Sequence, residues 1–223
     1  MKTFIRVKKT EQLKAAAKFS GADTWIVPGN IVEREICKNV PEIYIDLPDI
    51  LRESDMEGFR RLIKSSELYK GVVVKNIDEL GLLKEMDYRG GVIGDAFLYA
   101  YNNEAIRYYL ELFPEMMFLS SDELTAKEMT DLGHKDRMIL KVYGHQQLMI
   151  TAQCFGKNYS DCRRKEIRFR DGQGDRFFSL SSCEHCYSTV YNGKPTIIAD
   201  KDLPGTDKIL FDFTRGHYVR GID

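Results

Sequence analysis

Residues 71–95 read GVVVKNIDELGLLKEMDYRGGVIGD, and this one segment sets the fold class. Two short apolar runs, GVVV (71–74) and GVIGD (91–95), stand on either side of a longer segment, 77–86, in which leucines recur at helical spacing. Short valine-rich runs are typical of buried strands, and the segment between them is long enough for a helical crossover. The stretch therefore predicts two parallel strands joined by a helix.

The same alternation continues over most of the chain. The other predicted strands are FIRV (4–7), TWIV (24–27), EIYIDL (42–47), MMFL (116–119), MILKVY (138–143) and KILFDF (208–213). The other predicted helices cover residues 10–19, 54–66, 102–113 and 121–132. Ser54 with Glu57 and Ser120 with Glu123 have the spacing of a capping box, which predicts a helix start at each serine.

This alternation leaves two architectures open. Helices that alternate with parallel strands either surround a closed barrel or cover both faces of an open, doubly wound sheet. The first predicted strand is followed by KKTEQL, where a dinucleotide-binding sheet would carry its glycine-rich loop. We therefore expect an α/β fold with a TIM-like (β/α) barrel, and we expect function at the carboxyl ends of its strands.

Composition limits the class of protein. The 223 residues carry 33 Lys and Arg against 34 Asp and Glu, and 43% are hydrophobic. These values predict a single domain over residues 1–223 and give no overall field that would attract nucleic acid or a membrane surface. The sequence contains no apolar run of about 20 residues, and its first residues lack the apolar core of a secretory signal. We expect a cytoplasmic protein without a membrane partner.

A cysteine-bearing segment, 154–186, interrupts the alternation near the C-terminus. Within it, IRFR and RFFSL flank the glycine-rich turn DGQGD (171–175), which predicts a β-hairpin insertion. The segment holds four of the five cysteines, Cys154, Cys162, Cys183 and Cys186, whereas Cys37 stands apart and is expected to be a core residue. Four thiolates with one Cys-x-x-Cys pair suit tetrahedral zinc or an iron–sulfur cluster, although buried or surface thiols would give the same pattern.

Seven segments resemble, in the same order, segments of peptidase family U32, the collagenase-like peptidases. They are FIRVKKTEQLKAAAKFSGADTWIV, VVVKNIDELGLL, DAFLYAYNNEAIRYYLEL, FLSSDELTAKEM, VYGHQQLMITAQC, and FRDGQGDRFFSL with YNGKPTIIADKDL. The fifth is the most specific, because it combines a strand that ends in Tyr-Gly with Leu-Met and the first cysteine of the segment. The chain is short for the family, has His145 where arginine is usual, and lacks the Cys-x-Ser-x-x-Gly-x-Cys element.

The resemblance carries expectations about fold, cofactor and reaction. It implies a (β/α) barrel and a [4Fe-4S] cluster held by Cys154, Cys162, Cys183 and Cys186. It also implies an oxygen-independent hydroxylation of RNA or of a small aromatic precursor, with prephenate as co-substrate, and a partner subunit or homologous U32 protein. Two other functions stay open: a collagenase-like peptidase, and a zinc-stapled barrel that acts as a non-catalytic binding module.

Polar residues at the predicted strand ends supply further candidates. The candidate catalytic residues there are Asp95 and Glu123. The candidate substrate-binding residues there are Asn76, Asn102 and Asp212. Barrel enzymes keep such groups in the loops that follow the strands, but the same residue types also cap helices.

Three more candidates lie in or near the cysteine segment. His145 is a candidate catalytic residue, because it follows a strand and a thiol dyad with Cys154 would suit a cysteine peptidase. Arg164 and Arg168 are candidate substrate-binding residues, since they belong to a run of cations interleaved with phenylalanines, as on nucleic-acid surfaces. Strand alternation on an exposed hairpin produces the same pattern without any ligand.

Overall fold

The structure of the chain is a computed structural model that describes residues 1–16, 21–32, 42–155, 157, 166–198 and 205–214. The predictions for Cys37, Cys162 and Arg164 fall outside these ranges. The chain divides into two compact units, of which Gly144–Ile197 is the second and the described residues before and after it are the first.

Eleven strands of the described residues build the two units. They are β1 (Lys2–Arg6), β2 (Thr24–Pro28), β3 (Ile43–Asp46), β4 (Gly71–Val74), β5 (Gly91–Gly94), β6 (Met117–Leu119), β7 (Met138–Thr151), β8 (Glu166–Arg170), β9 (Arg176–Ser182), β10 (Tyr187–Ile197) and β11 (Lys208–Asp212). Strands β1 to β7 pair in parallel in chain order, and β11 pairs in parallel with both β1 and β7. The first unit is therefore a closed eight-stranded barrel, which confirms the TIM-like architecture expected from the alternation.

Within the described ranges, five helices connect the barrel strands. They are α1 (Thr10–Ala16), α2 (Met56–Ser66), α3 (Ile77–Glu85), α4 (Asn103–Leu112) and α5 (Ala126–Asp131). Buried residues of the helices, such as Phe59, Leu83 and Ile106, join outward-facing strand residues such as Trp25 and Val72 in one apolar cluster. The barrel is thus covered by helices on its outside, as the near-continuous apolar strands require. No helix in the described ranges is long and apolar enough to cross a membrane.

The start of α2 differs from the prediction. A 3-10 turn, Glu53–Asp55, precedes the helix, and Asp55 occupies the cap position, but its side chain makes no capping hydrogen bond to the helix. The hydroxyl of Ser54 donates to the carboxylate of Asp55 at 3.2 Å. The predicted capping box at Ser54 is therefore wrong, because the extra turn moves the serine out of the cap position.

The start of α5 also lies later than predicted. Ser120 is buried at the end of β6, and its hydroxyl accepts a hydrogen bond from the backbone N–H of Lys141 at 3.1 Å, so it does not cap a helix. The capping box is formed instead by Thr125 and Glu128: the Thr125 hydroxyl accepts from the Glu128 N–H at 3.2 Å, and the Glu128 carboxylate accepts from the Thr125 N–H at 2.8 Å.

Replacement of Thr125 by alanine is expected to lower the free energy of unfolding by about 0.5–2 kcal/mol, because it removes an acceptor for an unpaired helix N–H. Ser54→Ala is the matched control, since the serine has the capping-box spacing but makes no cap. Urea titrations of both variants would check this, and a loss at Ser54 as large as that at Thr125 would contradict the assignment.

The barrel interior is filled by one apolar residue from each strand. These residues are Phe4, Ile26, Tyr44, Val73, Ile93, Leu119, Ile139 and Leu210, and all eight are buried in one cluster. Side chains along a strand alternate between its two faces, so the position two residues further along each strand also faces the interior. The interior layer therefore fixes which residues lie above it at the carboxyl ends of the strands.

The second unit is a sheet in which β10 lies between β7 and β9, and β8 lies on the other side of β9. Strand β9 is antiparallel to both β8 and β10. Residues 171–175 connect β8 to β9, where Arg170 is opposite Arg176. A four-residue turn, 183–186, connects β9 to β10. The Cys-x-x-Cys pair thus occupies the turn of a β-hairpin.

Candidate active site at the barrel mouth

A second layer of residues lies two positions beyond the apolar interior, at the carboxyl ends of the barrel strands. We call it the mouth ring, and it consists of Arg6, Pro28, Asp46, Lys75, Asp95, Ser121, Lys141 and Asp212. Six of the eight are charged, and all of these except Lys141 form one network of ion pairs, as described below. This end of a (β/α) barrel is where such folds keep their active sites.

Arg6 is the central residue of the mouth ring. Its guanidinium donates to both carboxylate oxygens of Asp46, from Nε at 2.9 Å and from Nη2 at 2.7 Å. Nη2 also lies 2.8 Å from Oδ2 of Asp95, and Nη1 lies 3.8 Å from Oδ2 of Asp212. Because β5 lies opposite β1 in an eight-stranded barrel, the contact with Asp95 carries Arg6 across the interior. The arginine therefore closes the barrel below the mouth.

Asp46 binds three cations at once. Besides Arg6, the ammonium of Lys8 lies 2.7 Å from Oδ2, and the ammonium of Lys75 lies 3.1 Å from Oδ1. The Asp46 side chain is 0% exposed, so water does not screen these contacts. Burial by itself would raise the pKa of the carboxyl group, but Arg6, Lys75 and Lys8 together hold it well below its usual value.

Asp49 extends this network beyond β3. Its Oδ1 accepts from the ammonium of Lys75 at 2.5 Å. Burial opposes ionisation of Asp49, but Lys75 and then Lys8 outweigh it, so the pKa of Asp49 is lowered. Lys75 therefore lies between two ionised carboxylates, and only 3% of its side chain is exposed. A pair of this kind is costly to break, because either partner would be left as an uncompensated buried charge.

Asn76, a predicted substrate-binding residue, caps α3. Its side-chain oxygen accepts from the N–H of Glu79 at 2.9 Å, and its amide nitrogen donates to Glu79 at 3.1 Å. The carboxyl group of Glu79 also accepts from the N–H of Lys75 at 2.6 Å. Glu79 is fully buried, and burial raises its pKa to about 8 despite these bonds.

The buried Glu79 predicts a pH dependence of stability. Because its pKa is higher in the folded chain than the ordinary 4.5, its contribution to stability is complete below about pH 4.5 and is lost as the pH rises through 8. The slope has an upper limit of about 1.4 kcal/mol per pH unit. We expect urea titrations from pH 5 to 8.5 to show this decline in the unmodified protein and not in Glu79→Gln.

Glu57→Gln is the control for this series, because Glu57 is an exposed carboxylate in the first turn of α2. It should leave the pH dependence unchanged. Parallel stability curves for the unmodified protein and Glu79→Gln would contradict the assignment.

The other side of the mouth ring carries hydroxyl groups. The Ser121 hydroxyl donates to the Tyr101 hydroxyl at 2.9 Å, and burial raises the pKa of Tyr101. Glu123, a predicted catalytic residue, is exposed and hydrogen-bonds the same tyrosine through its carboxylate. Lys141 forms an ion pair with Asp122.

Asn102, which was predicted to bind substrate, caps α4. Its side-chain oxygen accepts a hydrogen bond from the Ala105 N–H at 2.9 Å.

His145 and Cys154 belong to the second unit. Nδ1 of His145 lies 2.7 Å from the carbonyl oxygen of Asn192, and its ring meets the Phe178 ring edge-on at 5.0 Å between centroids. The Cys154 thiol lies 3.9 Å from the Ser181 hydroxyl. The thiol dyad of His145 and Cys154 stays a prediction.

The cysteine turn exposes Cys183 and Cys186, and Cys186 has a left-handed backbone with φ of 51°. The Cys186 thiol donates to the Cys183 carbonyl at 3.9 Å. Within the described ranges, no three His, Cys, Asp or Glu side chains lie close enough together to hold a metal ion. The predicted ligand Cys162 lies outside those ranges.

Arg168 is exposed and pairs with Glu166 at 2.8 Å. It lies opposite Phe178 across the β8–β9 ladder, whereas Phe169 lies opposite Phe177 and stacks on it at 5.7 Å. Neighbouring residues of a strand face opposite sides of the sheet, so the arginine and the stacked rings lie on different faces. Strand alternation accounts for the basic and aromatic pattern of this hairpin.

Sequence reasoning identified Asp95 and Asp212 among the mouth-ring residues and missed Arg6, Asp46 and Lys75, together with Lys8 beside them. The signal was available in the strands themselves, where an apolar residue is followed two positions later by a charge in FIR, YID, VVK, IGD and LFD. Comparison of the chain with protein-family models and with curated proteins found no match.

Proposed function

We propose that the chain is a U32-like metalloprotein that holds an iron–sulfur cluster and supports a modification reaction, the hydroxylation of RNA or of a small aromatic precursor. The observation that carries the proposal is the turn between β9 and β10, which bears two exposed thiols, Cys183 and Cys186, within four consecutive residues. A closed barrel with a charged mouth ring is its second support.

The donor chemistry fits such a cluster. Thiolates are the usual ligands of iron–sulfur clusters, and a Cys-x-x-Cys turn directs two of them to one site. Cys154 is the third described thiol, and its contact with Ser181 lies two residues before Cys183. Cys162 would complete a set of four. When bound, the cluster would supply electron transfer to the reaction, with prephenate as the proposed co-substrate.

The mouth ring is the proposed substrate pocket. Arg6 forms its floor, and Asp95 and Asp212 lie around the guanidinium. Fixed charges in a site shielded from water orient a polar substrate without reorganisation. The hydroxyl groups of Tyr101 and Ser121 supply neutral hydrogen-bonding partners on the other side.

Metal analysis tests the proposal. Protein purified without oxygen should contain about four iron and four sulfide per chain, the content of a [4Fe-4S] cluster. Cys183→Ser and Cys186→Ser should lose most of this iron. Cys37→Ser is the control, because Cys37 is the one cysteine outside the proposed ligand set, and it should keep the iron. Iron-free protein after reconstitution, or full iron in Cys183→Ser, would refute the cluster.

The same turn also favours a second candidate, a zinc-stapled barrel without catalytic activity. Structural zinc sites use Cys-x-x-Cys pairs of this spacing, and the left-handed conformation of Cys186 gives the turn a tight geometry. One zinc per chain without sulfide would support this candidate against the cluster. Cleavage of protein substrates that is abolished by Cys154→Ser would support the peptidase instead.

A further inference from the structure

Three cations compete for the single carboxylate of Asp46. Arg6 has a second carboxylate contact at Asp95, 2.8 Å away, and Lys75 has a second one at Asp49, 2.5 Å away. Lys8 contacts only Asp46 among the carboxylates of the described ranges. Lys8 shares its one carboxylate contact with two other cations, so it is the cation that the network holds least firmly.

Lys8 is also the most accessible of the three. Its side chain is 26% exposed, whereas that of Arg6 is 9% and that of Lys75 is 3% exposed. It follows β1 by two residues and therefore lies at the carboxyl end of the barrel. Lys8 is therefore the cation of this group whose side chain has the largest exposed fraction.

The charges that face Lys8 come from three elements. They are Asp46 on β3, Asp49 after it, Lys75 after β4, and Arg6 on β1. Burial lowers the pKa of Lys8, and the positive charges of Lys75 and Arg6 act in the same direction, while Asp46 and Asp49 oppose them. Because the guanidinium of Arg6 stays protonated, loss of a proton from Lys8 is the step that relieves the repulsion among the three cations.

We propose that Lys8 is a reactive amine of the barrel mouth, which condenses with the carbonyl group of a small aldehyde or ketone to form an imine. An amine next to other cations and partly removed from water is an activated nucleophile. This inference goes beyond the proposed function, because the condensation needs no iron–sulfur cluster.

The condensation is balanced without an oxidant or a reductant. Lys8, whose side chain is 26% exposed, first loses one proton to solvent. The free electron pair of Nζ attacks the carbonyl carbon, and a C–N bond forms while the C=O bond opens. The former carbonyl oxygen leaves as water with two protons, and a C=N bond remains.

Formaldehyde is the probe, with cyanoborohydride added to reduce each imine to a stable methylamine. Peptide mass spectrometry gives the methylation rate of each lysine between pH 6 and pH 9. Lys64, an exposed lysine of α2, is the reference. We expect Lys8 to react about tenfold faster than Lys64 at pH 7, because the lowered pKa of Lys8 leaves more of its amine unprotonated. A rate at or below that of Lys64 across this range overturns the proposal.

Two substitutions separate electrostatic activation from simple exposure. Lys75→Gln removes a positive neighbour and should slow Lys8 about tenfold at pH 7, whereas Asp49→Asn removes a negative neighbour and should speed it. Local loosening would speed labelling in both, so an unchanged or faster rate in Lys75→Gln overturns the proposal. If Lys75→Gln does not fold, the unmodified protein decides: its Lys8 must be methylated faster than Lys64 at pH 7. The iron content of the same samples tests the cluster separately.

Discussion

Arg6→Met should destabilise the barrel by about 3–5 kcal/mol, because it leaves the buried carboxylates of Asp46 and Asp95 without their shared partner. Methionine fills most of the same volume, so the loss arises from uncompensated charge rather than from a cavity. Urea titration near pH 7 would measure it. Arg6→Lys should recover part of the loss, since it restores the charge but not the two parallel hydrogen bonds.

Arg61→Met is the control for this substitution. Arg61 forms an exposed pair with Glu57 at 3.5 Å, and exposed pairs of this kind contribute at most about 1 kcal/mol. A small effect at Arg6, similar to that at Arg61, would mean that the guanidinium does not hold the barrel mouth together.

Asp46→Asn should cost a similar amount, about 3–5 kcal/mol near pH 7. The asparagine has nearly the same shape, but it removes the only negative charge that Arg6, Lys8 and Lys75 share. Its one amide oxygen also accepts only one of the two hydrogen bonds from Arg6. Glu57→Gln is again the exposed control and should change little.

The effect of Asp46→Asn should depend on pH in one direction. The pKa of Asp46 is held below its usual value in the folded chain, so its contribution to stability is present above about pH 4 and is lost as the pH falls through the folded-state value. We expect the difference between Asp46→Asn and the unmodified protein to shrink below about pH 4. A difference that stays constant from pH 7 to pH 3 would show that shape, not charge, accounts for the loss.

The barrel could be predicted from the sequence because its strands are buried on both faces. Runs such as GVVV and GVIGD are apolar throughout, and the helices between them leave few alternatives to parallel pairing. Helix starts were harder to predict. Ser120 has the spacing of a cap, but its hydroxyl is used at the end of β6, and only the completed sheet determines that.

Only part of the mouth ring could be predicted, because its contacts also depend on the completed barrel. Asp95 and Asp212 follow apolar runs and stand out as strand-end carboxylates, whereas Arg6 and Asp46 lie within alternating strands and look like ordinary polar positions. Their pairing depends on closure of the barrel, which brings β1 and β5 to opposite sides of one interior. The local sequence does not indicate a contact between residues 89 positions apart, such as Arg6 and Asp95.

The most direct test of the proposed function is the electron paramagnetic resonance spectrum of the protein, purified without oxygen and then reduced. We predict the spectrum of a reduced iron–sulfur cluster, and we predict its loss in Cys183→Ser and its retention in Cys37→Ser. A silent spectrum from protein that contains zinc, or no metal after reconstitution with iron and sulfide, would contradict the account.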